Sequence, residues 1–172
     1  FIFLLSPIII IISILIKLTS KGPILYKGYR AGKKNKNFYI LKFRSMVPNA
    51  EKIGGPSTAK NDKRLTPIGF FLRSTKLDEL PQLFNVLVGD MSFVGPRPQV
   101  TYYTNKYKGE EESILSVKPG ITDYASIRFN NMDDTLGPIN VDDYYERYIE
   151  PKKKSVANTL CERNVTQNRS NN

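Results

Sequence analysis

Residues 1–16 are apolar at every position except Ser6, Pro7 and Ser13. As a helix, sixteen residues reach about 24 Å at ~1.5 Å per residue, short of the ~30 Å hydrocarbon core of a bilayer. Pro7 removes a backbone donor and disfavours helix at the residue before it, so the pattern predicts a break at Ser6-Pro7. Ser6 can satisfy a carbonyl freed by such a break. Two readings stay open: a hairpin that enters and leaves the same leaflet, or a spanning helix whose first residues precede Phe1. Phe1 is not an initiator Met, which is expected of a chain truncated at its front, and residues 19–22 lack the small-x-small site of a signal peptide.

Beyond this run the pattern changes. Two short strands are predicted over 24–30 and 38–43, joined by the polar turn Gly32-Lys33-Lys34-Asn35-Lys36-Asn37. Residues 48–64 form a polar loop, and 68–73 a short helix. Leu80, Leu83, Phe84, Leu87 and Val88 recur at i, i+3, i+4, i+7 and i+8, the stripe of an amphipathic helix that buries one face. Pro81 belongs in a first turn, so this helix is predicted to start near Asp78 and to stop at Gly89. Gly95-Pro96-Arg97-Pro98 is a stiff loop, 99–113 a polar helix, 117–122 a turn into a strand, and 142–149 a helix. From Lys152 the chain is polar and Asn-rich, a tail expected to be disordered, where the sequons at Asn164 and Asn168 carry little weight. The expected fold is α+β and helix-rich: a membrane helix over 1–18, a catalytic domain of short strands and interfacial helices over 19–150, and a tail over 151–172.

Charge narrows the partners. The net charge is +10, but residues 1–50 hold nine Lys/Arg and no acid, 51–150 hold 12 basic and 15 acidic residues, and 151–172 hold five and one. A nucleic-acid binder would spread its positive charge over a phosphate-tracking surface. An apolar front followed by Lys and Arg is instead the pattern of a membrane-associated segment with a cytoplasmic basic flank. Lys33, Lys34 and Lys36 are expected to meet lipid rather than substrate. The chain has no His and one Cys, Cys161, so a Ser-His-Asp triad, an HExxH zinc site and an internal disulfide are excluded. Chemistry must come from carboxylates, Lys/Arg, hydroxyls, backbone groups or a hard cation.

Asp78 and Glu79 are the candidates. Asp78 is open to two readings: a helix N-cap that accepts from backbone N–H groups, or a nucleophile toward phosphorus. In the second, the neighbouring carboxylate helps hold a divalent cation, which takes oxygen ligands from one or two carboxylates and substrate phosphates. Arg73, five residues before Asp78, and Arg97, fixed between two prolines, suit phosphate recognition. A surface salt bridge is the competing reading of Arg97.

Six motifs occur in order: Ser6-Pro7 in the apolar run, Lys42-Phe43-Arg44-Ser45-Met46, Leu77-Asp78-Glu79-Leu80-Pro81-Gln82, Gly89-Asp90-Met91-Ser92, Gly95-Pro96-Arg97-Pro98 and Lys118-Pro119-Gly120-Ile121-Thr122. Together they resemble the bacterial sugar transferases, the monotopic polyprenyl-phosphate phosphoglycosyl transferases, over residues 1–150. The resemblance implies that Ser6-Pro7 breaks a re-entrant membrane helix at the cytoplasmic face of the inner membrane. It makes Asp78 the nucleophile that takes a sugar-1-phosphate from a UDP-sugar and passes it to a polyprenyl phosphate. It makes Glu79 a ligand of Mg²⁺ or Mn²⁺. Arg73, Arg97 with Pro96 and Pro98, Lys42, Arg44 and Arg128 become substrate contacts. Residues 123–131 depart from the family's usual pattern, and so does the chain after Lys153. A catalytically inert, membrane-associated scaffold is the alternative. The sugar, the glycan built and the oligomeric state are not readable.

Overall fold

The computed structural model describes residues 2–54, 62–123, 151, 154 and 155. Arg128, the helix expected over 142–149 and all of the polar tail but residues 151, 154 and 155 lie outside the described residues. Helix α1 runs Ile2–Thr19, followed by an antiparallel hairpin of β1 (Leu25–Ala31) and β2 (Asn37–Phe43). Then come α2 (Pro67–Ser74), a single 3₁₀ turn Leu77–Glu79, α3 (Gln82–Leu87), β3 (Ser92–Val94), α4 (Thr101–Thr104), a 3₁₀ stretch Gly109–Ser116 and β4 (Gly120–Thr122). β3 and β4 pair in parallel, Ser92 opposite Gly120 and Val94 opposite Thr122. The domain is mixed helix and strand, as the pattern predicts.

Two differences from the expected elements have local causes. Helical structure continues through Pro7, with no break assigned at Ser6-Pro7. Pro7 stands near the start of α1, where it removes one helical bond while twelve residues follow to propagate the helix. The helix expected over 99–113 is reduced to α4 and a separate 3₁₀ stretch. Gly109, the first residue of that stretch, takes φ +58, a left-handed conformation that interrupts a continuous α-helix and suits a residue without Cβ.

One core joins α1 to the hairpin. Ile12 and Ile16, one turn apart on α1, are buried with Phe43 of β2 and Leu72 of α2, and Ile9, Ile24, Leu25, Ile68, Leu77 and Leu80 pack around them. A second cluster unites Phe38 and Ile40 of β2 with Met91, backed by Val86 and Ile121. Another side of α1 faces outward: Ile8, Ile10, Ile11, Ile14, Leu15 and Leu18 are exposed. No helix among the described residues is long and apolar enough to cross a membrane.

The amphipathic stripe that runs into α3 is only partly buried: Leu80 and Leu83 face the interior as expected, and the remaining positions do not. Phe84, Leu87 and Val88 are exposed, whereas Gln82, Leu83 and Asn85 are buried. The reason is Asn85. Its Oδ1 accepts from Leu41 N at 3.0 Å and its Nδ2 donates to Tyr39 O at 2.8 Å, so the amide completes the open edge of β2. A buried amide with both ends bonded holds α3 in one orientation, and that orientation turns Phe84, Leu87 and Val88 outward.

Candidate active site

The site forms where β2, the 3₁₀ turn and the 96–98 loop meet. Thr66 caps α2 by accepting from Gly69 N at 3.0 Å. The helix ends at Thr75, and Lys76 turns left-handed (φ 60) to start the 3₁₀ turn that carries Asp78 and Glu79. Lys76 occupies the cap position of that turn and Pro81 that of α3, neither with a side-chain cap bond. Asp78 is therefore not an N-cap, and the helix proper begins at Gln82 rather than near Asp78.

Glu79 is the electrostatic hub. Its Oε1 accepts from Lys42 Nζ at 2.7 Å and from Arg97 Nη2 at 3.0 Å. Burial alone would raise its carboxyl, but Arg97 and Lys42 outweigh burial and bring it down to about 2. Lys42 moves downward, driven first by burial and next by Arg97, and opposed by the two carboxylates. Asp78 behaves differently. It is 6% exposed, no described residue offers it a hydrogen bond or ion pair, and burial pushes its carboxyl up against the pull of Lys42, Arg73 and Lys76. Two adjacent carboxylates thus sit in separate electrostatic states, one firmly ionised and bridged, the other buried and unengaged.

The loop that delivers Arg97 is fixed at both ends. Gly120 N donates to Pro96 O at 2.9 Å, and Ala31 N donates to Gln99 O at 2.9 Å. Gly95 N donates to Thr122 O at 3.0 Å, so the 118–122 motif and the Gly95-Pro96-Arg97-Pro98 motif form one unit. Backbones approach so closely here that a Cβ on Gly120 would lie 2.1 Å from Gly95 N. Gly120→Ala is expected to cost about 1–3 kcal/mol and to lower activity by displacing Arg97. Chemical denaturation and an activity assay on the same sample check both. Pro96 and Pro98 flank Arg97 and, with Ala31, Tyr107 and Pro119, line a small hollow behind it.

The remaining candidates divide. Arg73, in the last turn of α2, makes no side-chain hydrogen bond with a described residue but lies near enough to pull the Asp78 carboxyl downward against burial. Arg44 is elsewhere. It is buried, and its guanidinium donates to the carbonyls of Ser20 and Lys21 just past the end of α1. The geometry gives Arg44 a helix-terminus role in place of a substrate contact, because the exposed carbonyls at a helix C-terminus attract a cation. Ser6 and Pro7 lie within α1. Asn85 and Gln82 were not singled out by pattern, and the only signal for either is a polar residue at a buried position of α3.

The donor set fits a cation that shares its ligands with substrate. Among the described residues no three carboxylate or thiol side chains cluster into a protein-only cage. Both cationic partners of Glu79 converge on Oε1, leaving Oε2 without a partner among the described residues, and Asp78 is likewise open. Mg²⁺ commonly takes one or two carboxylates and completes its shell from phosphate and water.

A sequence model of the bacterial sugar transferase family matches residues 1–154. Over 83% of its length the chain is 40% identical to the UDP-N-acetylgalactosamine-undecaprenyl-phosphate N-acetylgalactosaminephosphotransferase of Aeromonas hydrophila. Over 77% it is 45% identical to the UDP-glucose:undecaprenyl-phosphate glucose-1-phosphate transferase of Klebsiella pneumoniae. Over 54% it is 51% identical to an exopolysaccharide production protein of Rhizobium leguminosarum bv. phaseoli. The chain spans only 35%, 30% and 47% of the lengths of these relatives. With its six motifs in register and a matched stretch that includes every element of the site, this chain belongs to the bacterial sugar transferase family.

Proposed function

We propose that this chain transfers a sugar-1-phosphate from a UDP-sugar to a polyprenyl phosphate, such as undecaprenyl phosphate, at the start of a glycan or polysaccharide assembly. The observation that carries this reading is Asp78: a buried carboxylate without a hydrogen-bond partner among the described residues, beside a second carboxylate clamped by Lys42 and Arg97. An Asp78 oxygen attacks the β-phosphorus of the UDP-sugar, and the bond from phosphorus to the bridging oxygen breaks. UMP leaves with that bond's electron pair, and the sugar phosphate stays on Asp78 as an acyl phosphate. A phosphate oxygen of the polyprenyl phosphate then attacks the same phosphorus, which frees the Asp78 carboxylate and forms the sugar-diphosphate lipid. Lys42 and Arg73 near Asp78, and Arg97 on the adjacent Glu79, hold the diphosphate and offset its charge. Mg²⁺ or Mn²⁺, held through Glu79 and substrate phosphate, supplies further neutralisation of that charge. Incubation with a panel of UDP-sugars should release UMP from one or a few of them, only with divalent cation present. No UMP from any sugar would favour the inert scaffold.

The substrates also argue for a membrane location, because one is soluble and the other is anchored in lipid. Support for contact with a lipid surface comes from the outward apolar residues of α1, from Phe70 and Phe71 on α2, and from Phe84, Leu87 and Val88 on α3. α1 is then a re-entrant segment, its buried side against Phe43 and Leu72 and its other side in lipid. Accessibility labelling in the full-length protein should find both flanks of α1 on the cytoplasmic side. A preceding flank labelled from outside would make α1 part of a spanning helix.

A further inference from the structure

We propose that the Tyr26 ring is the stacking platform for the uracil of the UDP-sugar, a contact that binds the nucleotide and takes no part in the attack. Tyr26 and Lys42 stand directly opposite each other in the pairing of β1 with β2. Directly opposite residues of an antiparallel pair project from the same face, with Cβ atoms roughly 4.5–5.5 Å apart. Tyr26 is therefore the neighbour of Lys42 on the face that carries the site. Tyr29 and Tyr39, the other two exposed tyrosines of the hairpin, belong to the opposite face and pack against each other, ring centroids 4.1 Å apart.

Gly28 fixes where the ring lies. It is buried, and a Cβ placed on it, on the same face as Tyr26, would stand 2.8 Å from both Cε1 and Oη of Tyr26. The ring is thus laid along β1, in the space that a side chain at position 28 would take, while Tyr26 remains 45% exposed. A tyrosine held against a strand has little freedom left to lose when a second ring stacks on it.

The order of the elements puts this ring on the leaving-group side. Asn85 of α3 bonds to one edge of β2, and β1 pairs with the other. Lys42 reaches Glu79 on the turn that leads into α3. Across the site the order is then the Asp78–Glu79 turn, Lys42, Tyr26. Attacking and leaving oxygens stand roughly in line in phosphoryl transfer, so UMP departs away from Asp78, across Lys42 and toward β1. Its uracil is one ribose removed from the α-phosphate, and every base offers a π-face to an aromatic ring.

This assignment rests on the reading of the substrate as a UDP-sugar, and the test separates the two. UMP is titrated calorimetrically, with Mg²⁺ and without acceptor, into the full-length, membrane-reconstituted protein. Tyr26→Leu keeps apolar bulk and removes the ring; it should bind UMP about 10- to 100-fold more weakly, the scale of one lost base–aromatic stack. Tyr26→Phe keeps the ring and should bind within about twofold of wild type. Ribose 5-phosphate, which has no base, should not tell wild type from Tyr26→Leu. In turnover, KM for UDP-glucose or UDP-N-acetylgalactosamine, whichever the enzyme accepts, should rise with kcat unchanged, because the stack is the same in ground and transition states. Gly28→Ala is a second variant in case Tyr26→Leu packs poorly. Its Cβ meets the movable ring rather than backbone, so it should reproduce the loss of UMP affinity with a melting temperature close to wild type. Unaltered UMP binding by folded Tyr26→Leu and Gly28→Ala would overturn the assignment; a loss of binding to anionic vesicles in its place would put Tyr26 against lipid. If the wild-type protein binds no UMP, the UDP-sugar reading fails first.

Discussion

Asp78→Asn should abolish turnover, by on the order of 10⁴-fold or more, while the protein stays folded. The amide is nearly the same shape as the carboxylate but cannot form an acyl phosphate. The structure sharpens what stability should do. Asp78 caps no helix, and burial disfavours its ionised form despite Lys42, Arg73 and Lys76 nearby. Replacing a disfavoured charge by a neutral amide should leave the melting temperature unchanged or raise it. Catalytic loss without stability loss is the signature of a group kept for chemistry at some cost to the fold. A purely structural Asp78 would give the reverse, a lower melting temperature and retained activity. Thermal unfolding and UMP release on one preparation distinguish the two.

Glu79→Gln should damage both properties. Lys42 and Arg97 converge on Glu79 Oε1, and without that charge two cations face each other in a partly buried site. Breaking a fully buried ion pair costs about 3–5 kcal/mol, and the 38% exposure of the Arg97 side chain puts the loss here nearer 2–3 kcal/mol. Turnover should fall with it, and the response to added Mg²⁺ should weaken, because Glu79 holds the cation in the proposed reaction. The pH dependence has a definite sign. The carboxyl falls from its ordinary 4.5 to about 2 in the folded protein, so its ionised form stabilises the fold above pH 4.5. That contribution is lost as the pH drops through 2. Asp78, shifted upward by burial, works in the opposite direction and partly offsets the loss. In chelator, the native protein should lose stability between pH 4.5 and 2, and Glu79→Gln should be flatter over that interval. Identical acid-unfolding curves would show that the bridge to Lys42 and Arg97 does not form in solution.

Much of this was legible in the sequence where local rules decide the outcome. The hairpin of β1 and β2 and the short α2 follow from apolar runs bounded by turn residues, and they form within about a residue of the expected positions. The exclusions set by the missing His also needed no coordinates. What the pattern missed depends on partners distant in the chain. The stripe of Leu87 and Val88 has the period of a buried face, yet Asn85 ties α3 to the edge of β2, 44 and 46 residues away, and turns that stripe outward. Arg44 shares a motif with Lys42, but it stands just past the end of β2, where strand alternation no longer sets its direction: Lys42 reaches Glu79, and Arg44 reaches the end of α1. Arg97 could be read as a surface salt bridge or as a phosphate contact. It bridges Glu79, 18 residues earlier in the chain and next in sequence to the proposed nucleophile.

The account turns on a covalent sugar phosphate at Asp78, and one experiment addresses it directly. Active full-length enzyme is incubated with its UDP-sugar, labelled in both the sugar and the β-phosphate, in the presence of Mg²⁺ and without polyprenyl phosphate. UMP should be released in an amount no greater than that of enzyme, both labels should remain on the protein, and peptide mapping should place them at Asp78. Adding polyprenyl phosphate should then move both labels into lipid. UMP release that requires the polyprenyl acceptor, with no label retained on the protein, would contradict the account and leave direct transfer between the two substrates in its place.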